Sequence, residues 1–504
     1  MREQTRQPAP LPRRIVIVGG GTSGWMAAAA FSRFLGEGWY VRLIESEDIG
    51  TVGVGEATIP QIQHFNAGLG IDEADFVRAT QGSFKLGIVF ADWLRPGHRY
   101  IHAFGGIGRP LGLIAFHHYW LRHCVQDGAD DLWAFSATAQ AAAQNRFGPA
   151  PAIAHAYHFD ASLYAAYLRR YAEARGVERI EGKVVDVTQD SASGDIVSVT
   201  LDGGLSVEGD IFVDCSGFRG LLIEGALNSG YEDWRHWLPC DRALAVPCES
   251  VSPITPYTQS TARAAGWQWR IPLQHRIGNG HVYCSDHMSD DEAARILLDN
   301  LDGPALADPR PLRFVTGKRR QIWKNNCVSL GLASGFLEPL ESTSIHLIQA
   351  GIARFLQYLP GETVDTADRD AFNAQMDFEF ASIRDFIILH YHATEREGPM
   401  WQHCREMALP DSLAQKIALF RANGRIARFN EELFTETGWL QVLWGQGIRP
   451  RGWHPLADAL SEADLAEFMM LAKAQASQQA AALPTHEAYI AAHCAAPIPQ
   501  RIPA

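Results

Sequence analysis

Arg14-Ile15-Val16-Ile17-Val18-Gly19-Gly20-Gly21-Thr22-Ser23-Gly24 decides the fold of this chain. Ile15 to Val18 is a short unbroken apolar run, as a parallel strand buried on both faces requires. It feeds into Gly19, Gly21 and Gly24, a G-x-G-x-x-G pattern, followed by the helix-prone Trp25-Met26-Ala27-Ala28-Ala29-Ala30 and a second strand over Tyr40 to Glu45. Small residues let backbone approach a pyrophosphate, and the helix that follows aims its first amides and positive dipole end at the charge. Gly19, Gly21, Thr22, Ser23 and Gly24 are therefore the expected dinucleotide contacts, with Glu45 at the end of the second strand facing ribose hydroxyls. Asp210 to Gly220 repeats the strand-then-glycine pattern, and Gly182 to Val187 reads as a strand whose backbone, at Val184, could meet adenine or could simply pack. No second complete fingerprint follows, so a second nucleotide cofactor has no evident domain of its own.

The rest of the composition sets bounds. The 504 residues are 47% hydrophobic and 20% charged, enough for a large core in one big or two to three closely joined domains. A net charge of −13 disfavours a nucleic-acid track and offers no basic face to an anionic membrane, which points to a small-molecule substrate. No apolar run reaches the roughly 18 residues of a membrane span, and Met1 to Arg14 lacks an apolar secretory core, so the cytoplasm is the expected address. Eight cysteines without a C-x-x-C pair suggest buried thiols, with no metal site and no disulfide framework. From about Pro360 the pattern turns helical, with three- and four-residue apolar steps over Asp370 to Tyr391 and Ser461 to Leu483.

Four further segments carry chemistry. Gly266-Trp267-Gln268-Trp269-Arg270-Ile271-Pro272 would set Trp267 and Trp269 on one face of a strand, either as core aromatics or as a rigid wall. Lys85 enters an apolar strand-like run, where most lysines snorkel from an edge. It precedes His102-Ala103-Phe104-Gly105. Gly53-Val54-Gly55-Glu56-Ala57-Thr58-Ile59-Pro60 has the glycines of a mobile loop, and Phe336-Leu337-Glu338-Pro339-Leu340-Glu341-Ser342-Thr343 reads as a turn opening a helix. Acids at such a helix start are common for dipole reasons, a reading that suits Glu338 better than Glu341.

Together, and in this order from about Arg14 to Tyr358, these segments resemble the flavin-dependent halogenases of the tryptophan halogenase family. The resemblance implies an α/β fold: an FAD-binding, Rossmann-like two-dinucleotide-fold domain related to single-component monooxygenases, with a substrate-binding region and a C-terminal helical subdomain. The expected boundaries are a leader over 1–13, a halogenase core with interleaved substrate-binding elements over 14–358, a largely helical part over 359–496 and a tail over 497–504. By resemblance, Lys85 and Glu341 are catalytic. Glu56, Ala57, Leu332 and Ile345 contact FAD, the amides of Thr343 and Ser344 hold chloride or bromide, and His102, Phe104 and Phe434 line the substrate chamber. Trp267 and Trp269 form the barrier between chamber and flavin.

The implied reaction takes reduced FAD (FADH2) from a separate flavin reductase, with O2 and a halide, to hypohalous acid. Lys85 then positions the electrophilic halogen against an electron-rich ring, and Glu341 stabilises the cationic intermediate and assists loss of its proton. Arg421 to Trp444 is shorter than in tryptophan-specific members and lacks a tyrosine pair, so an indole-type substrate other than free tryptophan is expected, peptide-borne tryptophan included. Ser344 stands where glycine is usual, leaving the halide open. The assembly state is also open, a homodimer being one option. The rival readings are an FAD-dependent aromatic monooxygenase, which needs its substrate beside the flavin and is opposed by the paired indoles, and a non-catalytic flavin-binding protein, opposed by Lys85 and Glu341 together.

Overall fold

The computed structural model describes residues 13–49, 55–127, 131–361 and 363–497. β1 (Arg13–Val18), α1 (Thr22–Phe34) and β2 (Trp39–Glu45) form the expected unit, with the first strand beginning at Arg13, inside the segment read as leader. The apolar run serves two cores: Ile15 and Ile17 join the main cluster with Trp25 and Met26, while Val16 and Val18 join a second one with Phe212, Leu222 and Val199. That double burial explains why the run does not alternate.

The strands Cys327–Ser329, Ile211–Asp214, β1, β2 and Glu178–Glu181 lie side by side in parallel, with Trp323–Lys324 as an antiparallel edge. Their carboxyl ends bring together Gly19–Gly24, Glu45, Cys215–Gly220 and Leu330–Ala333, where a ligand of an open parallel sheet sits. Val184 follows the last of these strands, two residues after Gly182, whose amide donates to the Glu45 carbonyl (2.9 Å). Its strand, Val184–Gln189, lies in a three-stranded antiparallel sheet and pairs it with Leu201, and its side chain packs on the second core cluster.

A seven-stranded sheet forms the second layer. It runs Arg310–Arg313, Arg242–Glu249, Arg276–Tyr283, Gly266–Pro272, Thr258–Arg263, Gly87–Ala91, Arg99–Ala103, antiparallel except between the fifth and sixth. A small sheet of Gly55–Ala57, Ala156–Asp160 and Ser83–Lys85 joins the two layers. Gly55 to Ala57, read as mobile loop, is thus a paired strand; Gly53 and Val54 lie outside the described residues, as do 498–504 of the expected tail. After Tyr358 the described elements are all helical, led by the 27-residue helix Thr366–His392 and followed by Asp411–Asn423, Glu436–Gly445 and Glu462–Ala481. Among the described residues no helix is long and apolar enough to cross a membrane, and seven of the eight cysteines are buried free thiols, Cys124 being half-buried.

Candidate active site

The glycine loop is built for close approach. A Cβ on Gly19 would lie 2.3 Å from the Cys215 carbonyl oxygen, one on Gly20 would lie 1.5 Å from a Glu45 carboxylate oxygen, and one on Gly24 would lie 1.8 Å from the Gly19 carbonyl oxygen. Gly21, the residue that caps α1, meets nothing within 4 Å and leaves the helix end open. Glu45 is held at this loop by Trp25 Nε1–H (3.2 Å) and by the guanidinium groups of Arg169 and Arg179. Gly331 abuts the start of α1, since a Cβ there would come 2.8 Å from Ser23 Cβ. Leu332 is half-buried beside it, and Ile345 is buried. These residues fit a dinucleotide whose pyrophosphate meets the end of α1. On the small sheet, Glu56 is half-buried, its carboxyl raised to about 7 by desolvation, and Ala57 is buried.

Lys85 is not an edge lysine. It is fully buried at the end of its strand, donating to the Thr58 carbonyl (2.9 Å) and to Ser342 Oγ (2.8 Å), with the Phe104 ring 5.4 Å away. Ser83, two residues earlier, anchors the strand by donating to the Pro272 carbonyl (2.6 Å) at the end of the double-Trp segment. Burial lowers the Lys85 pKa to about 7, and the nearby Glu341 carboxylate partly opposes that. In the neutral form the amine keeps two donors for Thr58 and Ser342 and presents a lone pair elsewhere.

Pro339–Glu341 is a single 3₁₀ turn, followed by Ser342 in the left-handed region (φ 59°) and the helix Ser344–Gln357. The left-handed residue turns the chain so that the Ser342 hydroxyl meets Lys85, a local strain of the kind concentrated at functional sites. Glu341 is buried and gripped on both oxygens, by His102 Nδ1 (2.9 Å) and by His390 Nε2 (2.7 Å). Burial alone would raise its pKa, but the two imidazoles outweigh it and hold the carboxyl at about 2. Burial lowers the pKa of His390 itself, whose Nδ1 faces the Tyr100 hydroxyl at 3.1 Å. His102 therefore does more than offer a flat ring: it orients the carboxylate.

Thr343 occupies the N-cap of the next helix in αR geometry, no side chain caps that helix, and the buried Thr343 Oγ1 has no partner. The helices after Asp160 and Ser461 show the alternative, an extended cap residue whose side chain accepts from the first amides. The amides of Thr343 and Ser344 and an orphan hydroxyl thus share one spot suited to an anion.

Trp267, Trp269 and Ile271 lie on one face of their strand, the indole centroids 6.1 Å apart. Trp269 lies over the neighbouring strand, where a Cβ on Gly280 would come within 2.0 Å of its ring, and Ile271 reaches Gly55. Glu338 is the largest departure from expectation. It is fully buried, accepting from Trp267 Nε1–H (2.8 Å) and the Tyr391 hydroxyl (2.5 Å), so the reading as an acid placed for the helix dipole is wrong; the chain turns it inward ahead of Pro339. Phe434 stacks on Phe386 (centroids 3.7 Å apart), 6.1 Å from the His102 ring.

The structure thus brings Lys85, Phe104, His102, Glu341 and Phe434 to one chamber and the glycine loop, Glu45 and Leu332 to the end of the parallel sheet. Sequence reasoning missed His390, Tyr100 and Thr58. The usable signal for His390 was a lone imidazole in the apolar run Phe386 to Tyr391. Among the described residues no group of three His, Cys, Asp or Glu is arranged to hold a metal.

Residues 14–462 match the family model described as tryptophan halogenase. The chain belongs to the tryptophan halogenase family. It is a flavin-dependent halogenase, an oxidoreductase. Among curated proteins it is 37% identical over 438 residues to tryptophan 6-halogenase SttH of Streptomyces toxytricini, covering 81% of this chain and 83% of that protein. Among solved structures it is 49% identical to Xcc4156, a flavin-dependent halogenase from Xanthomonas campestris (TM-score 0.95, covering 97% of this chain and all of that one). It is 44% identical to BrvH from Brevundimonas sp. BAL3 (TM-score 0.93, with 97% and 100% covered).

Proposed function

We propose that this enzyme halogenates an indole-type aromatic that is not free tryptophan, at Lys85, with an oxidant generated on the other side of the Trp267/Trp269 row. When bound, reduced FAD, delivered by a separate reductase, supplies with O2 the two-electron oxidation of chloride or bromide to hypohalous acid. The chain's own residues do the rest. Gly19, Gly21, Thr22, Ser23 and Gly24 take the pyrophosphate, Glu45 the ribose, and Glu56, Ala57, Leu332 and Ile345 flank the ring system. The Thr343 and Ser344 amides, with the unpartnered Thr343 hydroxyl, hold the halide. Trp267 and Trp269 exclude the organic substrate from the flavin side while a small acid passes.

At the other end, Lys85 hydrogen-bonds the hypohalous acid or takes the halogen on its lone pair, and either way presents it to the ring held by Phe104, His102 and Phe434. Glu341, kept ionised by its two histidines, opposes the positive charge that builds on the ring. With its carboxyl near pKa 2 and both oxygens taken by imidazole N–H groups, Glu341 acts chiefly through its charge and holds the departing ring proton only in passing.

The observation that carries this reading is a fully buried amine bonded to Ser342, one residue from a buried carboxylate clamped by two histidines. The substrate class rests on Arg421 to Trp444, the segment beside Phe434, which carries no tyrosine to grip a free amino-acid group. SttH is named a tryptophan halogenase; this chain is expected to favour indoles without the free amino-acid group. The test is product analysis with reduced FAD, O2 and a panel of indole, tryptophan and tryptophan-containing peptides, with and without halide. Halogenated indole formed only with bromide or chloride is the expected result. Oxygenated product without halide would establish a monooxygenase, and no product of either kind a binding protein.

A further inference from the structure

Glu338 has no part in the reaction above, yet an ionisable group is kept in a fully buried position where an apolar residue would pack at less cost. Its partners explain why. Oε2 accepts from the indole N–H of Trp267 and from the hydroxyl of Tyr391, while Oε1 has no partner. Trp267 is in the central strand of the seven-stranded sheet, and Tyr391 is on the helix Thr366–His392. The residue before Tyr391 is His390, which grips Glu341. Consecutive residues of one helix therefore hold the carboxylate that precedes one 3₁₀ turn and the one that ends it: Tyr391 holds Glu338 and His390 holds Glu341. The Trp267 ring meets those of Trp93 at 6.3 Å and Trp269 at 6.1 Å, and the bond to Glu338 adds the directional contact that ring packing lacks.

We infer that Glu338 is the positioning residue of the barrier: by accepting from Trp267 Nε1–H it fixes the indole that separates flavin from substrate, and ties the wall to the clamp that orients Glu341. The inference rests on the reading of Trp267 as a wall. Productive turnover consumes one halide per FADH2 and O2, whereas a misplaced wall lets reducing equivalents return O2 as hydrogen peroxide.

The test uses the full chain with FAD, NADH, a flavin reductase, bromide and indole. Glu338→Met removes the acceptor at similar volume, and Glu338→Gln retains one oxygen acceptor. Bromoindole formed per FADH2 oxidised should fall about 10-fold in the Met variant, with peroxide rising to match, while the Gln variant keeps at least about half of the wild-type yield. The KM for indole and the affinity for FAD should stay within about 2-fold. Trp267→Phe, which keeps a ring but loses the N–H, should match the Met variant, and the double variant should be no worse than either. Without flavin, the ¹⁹F resonance of 5-fluorotryptophan at position 267, assigned through Trp267→Phe, should be a single narrow line in wild type and split or broadened in Glu338→Met.

Wild-type coupling and an unchanged ¹⁹F line in the Met variant, or multiplicative losses in the double variant, would overturn the inference. If the Met variant does not fold, Trp267→Phe decides, since full coupling there leaves the N–H bond without a role. A wild-type enzyme that makes no bromoindole at all refutes the halogenase chemistry instead, which the bromide-free control identifies.

Discussion

Two carboxylates three residues apart, Glu338 and Glu341, sit in equally buried but opposite surroundings. Glu341 meets two imidazoles and is driven down to about 2, whereas Glu338 meets only neutral donors and is driven up to about 7 by burial. Burial by itself favours the neutral acid in both places; what differs is the partners, two imidazoles against an indole N–H and a hydroxyl. A permanently ionised group on the chamber side can answer a positive ring. On the wall side, an acceptor that burial pushes toward its neutral form holds an indole. Environments that push paired acids apart are how one turn serves two roles.

The comparison breaks most visibly at Lys85, which faces the Glu341 side. Lys85→Ala should lower halogenated product by about 10³-fold or more with FAD affinity unchanged, read by mass spectrometry and flavin titration. Unchanged yield would remove the amine from the reaction. Glu341→Gln keeps the side chain's shape but loses the charge and one of the two acceptors, and should reduce kcat by about 10²-fold without moving the halogenated carbon. His390→Phe sharpens the contrast: with one imidazole gone, the Glu341 pKa rises, so kcat should drop about 10-fold and the acid limb of the pH profile move upward. An acid limb that stays in place would assign the low pKa to His102 alone.

The smallest effect is on stability. Between pH 4.5 and 7 the folded protein binds more protons at Glu338 than the unfolded chain does, so that group's contribution falls as pH rises. Glu338→Gln should therefore gain on wild type, its melting temperature relative to wild type rising by about 2–4 °C from pH 5 to pH 8. Lys85 works in the reverse sense. Its folded pKa lies below the unfolded value, so the burial penalty is full below pH 7 and is relieved as pH rises toward 10.5.

The local parts of this molecule were legible before its structure. The unit Arg14 to Glu45 is contiguous, and its strand, glycines and helix each have a sequence signature; the face of Trp267 and Trp269 follows from strand period alone. Lys85 and Glu341 came from resemblance, since nothing in their immediate neighbours distinguishes them. What stayed hidden depends on contacts between distant segments. His390 lies 49 residues beyond Glu341, and a histidine in an apolar helix face is silent about its partner. Glu338 was misread because a turn and a helix start look alike in sequence, and only the inward turn before Pro339 separates them. Gly280 was overlooked because its purpose, room for Trp269, exists only across a strand pair.

In the proposed reaction the oxidant forms on the flavin side of Trp267 and Trp269 and is consumed at Lys85 on the other. A crystal structure of the enzyme with FAD and an indole substrate tests it most directly. The reacting ring should lie beside Lys85 Nζ, between Phe104 and His102, with both indoles between it and the isoalloxazine. An indole resting directly on the flavin ring, with Trp267 and Trp269 turned away, would contradict it.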